Sequence, residues 1–147
     1  MELDIGLHIK FERDMLEGAV KELGKLFENE ENVLVAYLFG SYLRGDQTSR
    51  SDIDIAILLY EVPKKPLEYY LHLINILTEV LGDDVDLTIL NLAPPLLKFQ
   101  IIKNGKIIYC RSDRSRINFE AKYICEYLDF RRAMERYDEC VMKQILK

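Results

Sequence analysis

The 147-residue sequence has no tryptophan, only two histidines and only three cysteines. Neither His8 nor His72 has a partner at metal-ligand spacing, so a histidine-based metal centre is not expected and both read as structural. Cys110, Cys125 and Cys140 are odd in number and lack the close pairing of a zinc site or a disulfide framework. They read as reduced structural thiols. Four prolines and seven glycines are too few for a linker, and there is no repeat or low-complexity tract, which excludes a disordered or solenoid chain. No apolar run approaches membrane-spanning length, and acids interrupt the opening "MELDIGLHIKFERD" too often for a signal-peptide core. A cytoplasmic protein without membrane association is expected.

Positive charge is also in deficit. Twenty Lys and Arg against 25 Asp and Glu leave a net charge of -5, which argues against general nucleic-acid binding through the phosphate backbone. The imbalance is local: residues 1–110 hold 11 bases and 18 acids, net -7, whereas residues 111–147 hold 9 and 7, net +2.

Hydrophobic residues make up 49% of the chain, enough to build the core of a single domain spanning residues 1–147. From Phe11 to Glu31, Leu16, Val20, Leu23 and Phe27 recur at helical spacing. "NVLVAYLF" reads as a buried strand ending at Gly40-Ser41, followed by a short turn, a polar loop and a second strand, "DIDIAILLY". "LEYYLHLINILTEVLG" reads as a helix opening after Pro66 and stopping at Gly82. "DVDLTIL" is a third strand, Leu96 to Lys103 a shorter helix after Pro94-Pro95, and "NGKIIYC" a fourth strand. Strands alternating with helices predict an α/β (α+β) fold, a mixed sheet flanked by helices.

The segment from Asp113 onward reads as one long amphipathic helix, possible breaks aside, with Ile117, Ala121, Ile124, Leu128, Met134, Tyr137, Val141 and Ile145 at spacings near three and four. At over 30 residues, roughly 45 Å, it outruns a small domain. Either part of its apolar face docks on another chain, as a homo- or hetero-oligomer, or the helix bends around its own core. Tyr69, Tyr70, Tyr123, Tyr127 and Tyr137 read as core or interface residues, which leaves a nucleobase pocket unassigned.

The most chemically loaded stretch is "FGSYLRGDQTSRSDIDIAILL", Phe39 to Leu59. Strand alternation sends Asp52 and Asp54 to one face and Ile53, Ile55 and Ile57 to the other. At about 6 Å and an effective dielectric near 20, two such carboxylates repel by roughly 3 kcal/mol. That cost becomes attraction when the pair holds a divalent cation, and Mg²⁺ takes oxygen ligands from a few carboxylates plus substrate phosphates. Gly40 lets backbone approach a phosphate, Ser41 adds a hydroxyl donor, and Arg44 and Arg50 are the nearby cations, Arg50 equally readable as a free loop residue. A third carboxylate is available from Asp84 or Asp86. Asp86 is favoured because it lies further into its strand, where it could serve as ligand or base, whereas Asp84 follows Gly82-Asp83 and can still belong to the turn.

Gly40-Ser41, ten residues, then Asp52-Ile53-Asp54 resembles the Gly-Ser-x10-Asp-x-Asp signature of the DNA polymerase beta-like nucleotidyltransferases. The chain's shortness and its "GSYLRG" and "SDIDIAIL" wording resemble the minimal nucleotidyltransferase (MNT) subgroup, over about residues 12–110, with a helical extension over about 113–146. The resemblance implies a nucleotidyltransferase fold, two Mg²⁺ ions held by Asp52, Asp54 and Asp86, and an NTP triphosphate held by Gly40 and Ser41, with Arg44 matching a phosphate-binding cation. MNT proteins resemble antitoxins paired with HEPN-domain RNase toxins, which implies AMP transfer from ATP to a toxin tyrosine. Two other readings stand beside this one: transfer to a small hydroxyl compound such as an aminoglycoside, and a non-catalytic antitoxin that acts by binding.

Overall fold

Every residue of the strand Val33–Phe39 (β1) but the last is buried, as its continuous apolar sequence requires of a strand covered on both sides. The structure, a computed structural model, describes residues 17–40, 53–82 and 85–146. Before β1 runs a helix over 17–29 (α1). After it come the strand Ile53–Leu59 (β2), the helix Pro66–Leu81 (α2), the strand Val85–Ile89 (β3) and a 3₁₀ turn at Leu90–Leu92. The helix Pro95–Asn104 (α3), the strand Lys106–Cys110 (β4) and the helix Asp113–Ile145 (α4) complete the chain.

The described strands form one sheet in the order β3-β2-β1-β4. β1 is antiparallel to both β2 and β4, while β3 is parallel to β2 across the helical crossover α2. The expected mixed sheet with flanking helices is what forms.

Alternation along the strands divides the core. Leu38, Ile53, Ile55, Ile57, Leu87 and Ile89 pack with Leu23 and Phe27 of α1 and with Leu73 and Leu77 of α2. On the opposite face Val35, Tyr37, Ala56 and Leu58 pack with Ile101 of α3 and Tyr123 of α4. α2 starts with proline at its first position and ends at Gly82, whose φ of +67° suits the left-handed C-cap and whose N–H donates to Thr78 O at 2.8 Å. Its N-terminal proline and C-terminal glycine mark the boundaries that the sequence pattern anticipates.

Two long-range polar clamps hold these layers. Arg111, just past β4, donates from Nε to Val33 O at 3.2 Å and from Nη2 to the carbonyls of Phe27, Glu28 and Glu30 at 3.0–3.1 Å. It thereby caps the carbonyl end of α1, where unpaired C=O groups and the helix dipole favour a cation. Tyr37 Oη donates to Glu120 Oε1 at 2.6 Å, and Glu120 Oε2 accepts from Arg116 Nη1 at 3.0 Å, which ties α4 to β1.

α4 starts at Ser112, whose hydroxyl accepts from Ser115 N, and runs 33 residues without a break. Its first half docks through Tyr123, which is buried, and Tyr127, which stacks on Phe99 at 4.1 Å between ring centroids. Beyond that point the helix does not bend back around the core: residues 128–140 are all exposed. The tyrosines read as core or interface divide accordingly, Tyr69 and Tyr70 against the core and Tyr137 exposed. The three cysteines are free, as expected, but Cys125 and Cys140 are exposed rather than packed. No helix among the described residues is long and apolar enough to cross a membrane.

Candidate active site

β1 ends at Phe39, which pairs with Asp54 across the antiparallel ladder, and Asp54 in turn pairs with Asp86 across the parallel one. Paired residues of neighbouring strands project to the same face. Because Asp54 precedes Ala56 and Asp86 precedes Thr88 by two residues, both carboxylates lie on the face that carries α3 and α4. The isoleucines between them turn to the other face and are buried. Asp54 is half-buried and Asp86 exposed, at the end of the sheet where β1 stops and β2 and β3 start.

Gly40 closes this corner. Its φ of +79° lies in the left-handed region, and a Cβ built on it would collide with the Asp54 carboxylate and stand 2.9 Å from Asp54 Cγ. The residue must therefore be glycine for two independent reasons, backbone conformation and space. The main chain leaves β1 directly against a carboxylate, which sets Gly40 beside Asp54.

Among the residues singled out by sequence, Gly40, Asp54 and Asp86 are brought together. Ser41, Arg44, Arg50, Asp52 and Asp84 lie outside the described residues. His72 Nε2, on exposed α2 surface, lies 3.5 Å from Glu30 Oε1, and His8 lies outside the described residues. Among the described residues no group of three or more His, Cys, Asp or Glu side chains converges. The donor chemistry present, carboxylate oxygens alone with no thiolate or imidazole, fits a hard divalent cation such as Mg²⁺.

Sequence reasoning missed Tyr37, Glu120 and Arg116, which brace the same face of the sheet two residues before Phe39. Burial, reinforced by the hydrogen bond to Glu120, holds the Tyr37 hydroxyl protonated far above the ordinary tyrosine range. Nothing in local periodicity marks the Tyr37–Glu120 contact, because the two residues are 83 positions apart, whereas Arg116 and Glu120 are an ordinary i,i+4 pair of α4.

Residues 21–114 match the family described as polymerase beta, nucleotidyltransferase. Over 84 residues the chain is 36% identical to the protein adenylyltransferase MntA of Shewanella oneidensis, covering 57% of this chain and 59% of that one. The chain spans less than two thirds of the length of the first curated relatives it matches. A crystal structure of a toxin-antitoxin with AMP-PNP superposes with a TM-score of 0.62 and 31% identity, covering 76% of this chain and 87% of that one. The structure of a tri-AMPylated Shewanella oneidensis HEPN toxin in complex with MNT antitoxin gives a TM-score of 0.65 and 27% identity over 86% and 98% of the two chains. With its family match spanning all four described strands and its acidic pair at the strand ends, this chain belongs to the polymerase beta nucleotidyltransferase family.

Proposed function

We propose that the protein is a Mg²⁺-dependent protein adenylyltransferase that transfers AMP from ATP to a tyrosine hydroxyl of a HEPN-domain toxin and so acts as its antitoxin, in the cytoplasm. The observation that carries this reading is the register pairing of Asp54 with Asp86 on one sheet face, at the end where β1 stops, with the Gly40 backbone pressed against the Asp54 carboxylate. The similarity to a protein adenylyltransferase and to structures of toxin-antitoxin complexes supports the acceptor class.

Asp52, Asp54 and Asp86 would hold the metal, and Gly40, Ser41 and Arg44 the triphosphate. Bound Mg²⁺ supplies positive charge against the charge that builds on the leaving pyrophosphate. The acceptor oxygen forms a bond to the α-phosphorus of ATP while the bond from that phosphorus to the bridging oxygen breaks, releasing pyrophosphate. The hydroxyl proton would pass to a carboxylate, in this reading Asp86, the exposed member of the pair. Gly40 permits the nucleotide's phosphates to approach main-chain N–H groups at the end of β1 with no side chain between.

The test is incubation with ATP labelled in the adenine or α-phosphate, Mg²⁺ and a HEPN partner. Label on a partner tyrosine is the expected result. Tight binding without label would instead mean neutralisation by occlusion, and label only on small hydroxyl compounds would reassign the acceptor.

A further inference from the structure

At 100° per residue, Phe119, Tyr123, Tyr127, Phe130, Met134, Tyr137, Val141 and Ile145 all fall within about 40° of one line along α4. The first three of these side chains are the ones that dock on the body. The same line then continues into solvent: Phe130 is 45%, Met134 44%, Tyr137 64% and Ile145 70% exposed. From Tyr127 to Val141 the spacing is three, four, three, four, the seam of a two-stranded coiled coil.

The charges beside that seam are self-complementary. Arg131 and Asp138 flank it on one side, and Ala133 and Cys140, both small, on the other. Residues 128–146 hold four acids and four bases, a neutral stretch attached to a body, residues 1–110, of net charge -7. Neutrality gives this stretch no preference for a strongly charged partner, whereas the placement of its charges suits its own antiparallel image.

We infer that the projecting half of α4 pairs antiparallel with the same helix of a second copy of this chain. A two-fold axis between Glu135 and Arg136 sets Met134 against the partner's Tyr137 and Phe130 against the partner's Val141. Like flanks face each other in an antiparallel pair, so each Arg131 lies beside the partner's Asp138, and each Ala133 beside the partner's Cys140. Within its own chain Arg131 Nε meets Glu135 Oε1 at 3.2 Å, so in the pair it bridges two acids. The overlap runs over residues 128–143, roughly 24 Å, and each helix ends where the other meets its own body. The two acidic bodies are thereby held at opposite ends, which limits their repulsion.

Sedimentation equilibrium of the full chain, without nucleotide or toxin, tests the pairing. The expected result is a monomer–dimer equilibrium below about 100 μM, with Arg131→Asp or Asp138→Arg each weakening it at least about tenfold and the double swap restoring it to within about threefold. All these positions are exposed, and circular dichroism of each variant checks that the helix persists. Mild oxidation of Ala133→Cys is expected to give a disulfide-linked dimer that is lost when Cys140→Ser is added. A monomer at 100 μM, association that appears only when a HEPN protein is added, or a dimer indifferent to the charge swap would each overturn the inference.

Discussion

Gly40 lies against the carboxylate of Asp54, in the volume that any side chain at position 40 would need. The end of β1 and Asp54 of β2 are consequently one unit, and a change in either is felt by the other. Gly40→Ala is expected to destabilise the fold by about 1–3 kcal/mol through its positive φ and the collision with Asp54. Urea denaturation of Gly40→Ala, Asp54→Ala and the double variant separates the two causes. The double variant should recover the steric part and leave the backbone part, and strict additivity would show that the two residues do not interact.

Asp54→Asn and Asp86→Asn are each expected to lower nucleotide transfer at least about 100-fold with the fold retained, since in the proposed mechanism each carboxylate holds the metal charge that would stabilise the transition state. Asp52→Asn should do the same. Melting curves add a readout that does not depend on turnover. Mg²⁺ with a nonhydrolysable ATP analogue should raise the Tm of the wild type and not of Asp54→Asn, because only the folded site binds. Equal metal-induced gains in both proteins would remove Asp54 from the metal site.

Arg111→Ala withdraws the donors serving four carbonyls at the end of α1 and the start of β1. A loss of about 2–4 kcal/mol is expected, and Arg111→Lys should recover less than half of it because an ammonium lacks the planar fork that reaches several carbonyls. Chemical denaturation at pH 7 measures both. Full stability in Arg111→Lys would show that charge alone suffices.

Tyr37→Phe leaves the Glu120 carboxylate without its 2.6 Å donor, although Arg116 still holds the other oxygen. A cost of about 1.5–3 kcal/mol is expected, in the range of hydrogen bonds to charged groups. Amide hydrogen exchange should show faster opening in the first half of α4, with α2 unaffected. Uniform loosening of both helices would argue against a specific anchor.

Burial, with Glu30 nearby, pushes the Tyr69 hydroxyl up to about 12, and the hydroxyl has no hydrogen-bond partner among the described residues. An unfolded tyrosine ionises near pH 10, so between about pH 10 and 12 the unfolded chain sheds a proton that the folded one keeps. The contribution to stability is whole below pH 10 and disappears as the pH rises through this window. Tyr69→Phe should therefore match or exceed wild type at pH 7 and lose stability less steeply above pH 10. Parallel curves for the two proteins would show that Tyr69 does not titrate differently on folding.

Residue order alone determined the local pattern. Period-two alternation placed the isoleucines of β2 on one face and Asp54 on the other, and proline and glycine marked the ends of α2. The Gly-Ser and Asp-x-Asp spacing pointed to nucleotidyl transfer before any contact was known. These properties depend on neighbours within a few positions, where backbone geometry fixes direction. What only the tertiary structure decided is register and partnership: that Asp86 stands beside Asp54, that Gly40 needs the space Asp54 fills, that Arg111 serves α1 and that Glu120 holds Tyr37. It also decided that the apolar line of α4 is covered as far as Tyr127 and bare beyond it. Such facts join residues tens of positions apart, and their free energy comes from packing whole elements together, which no local period encodes.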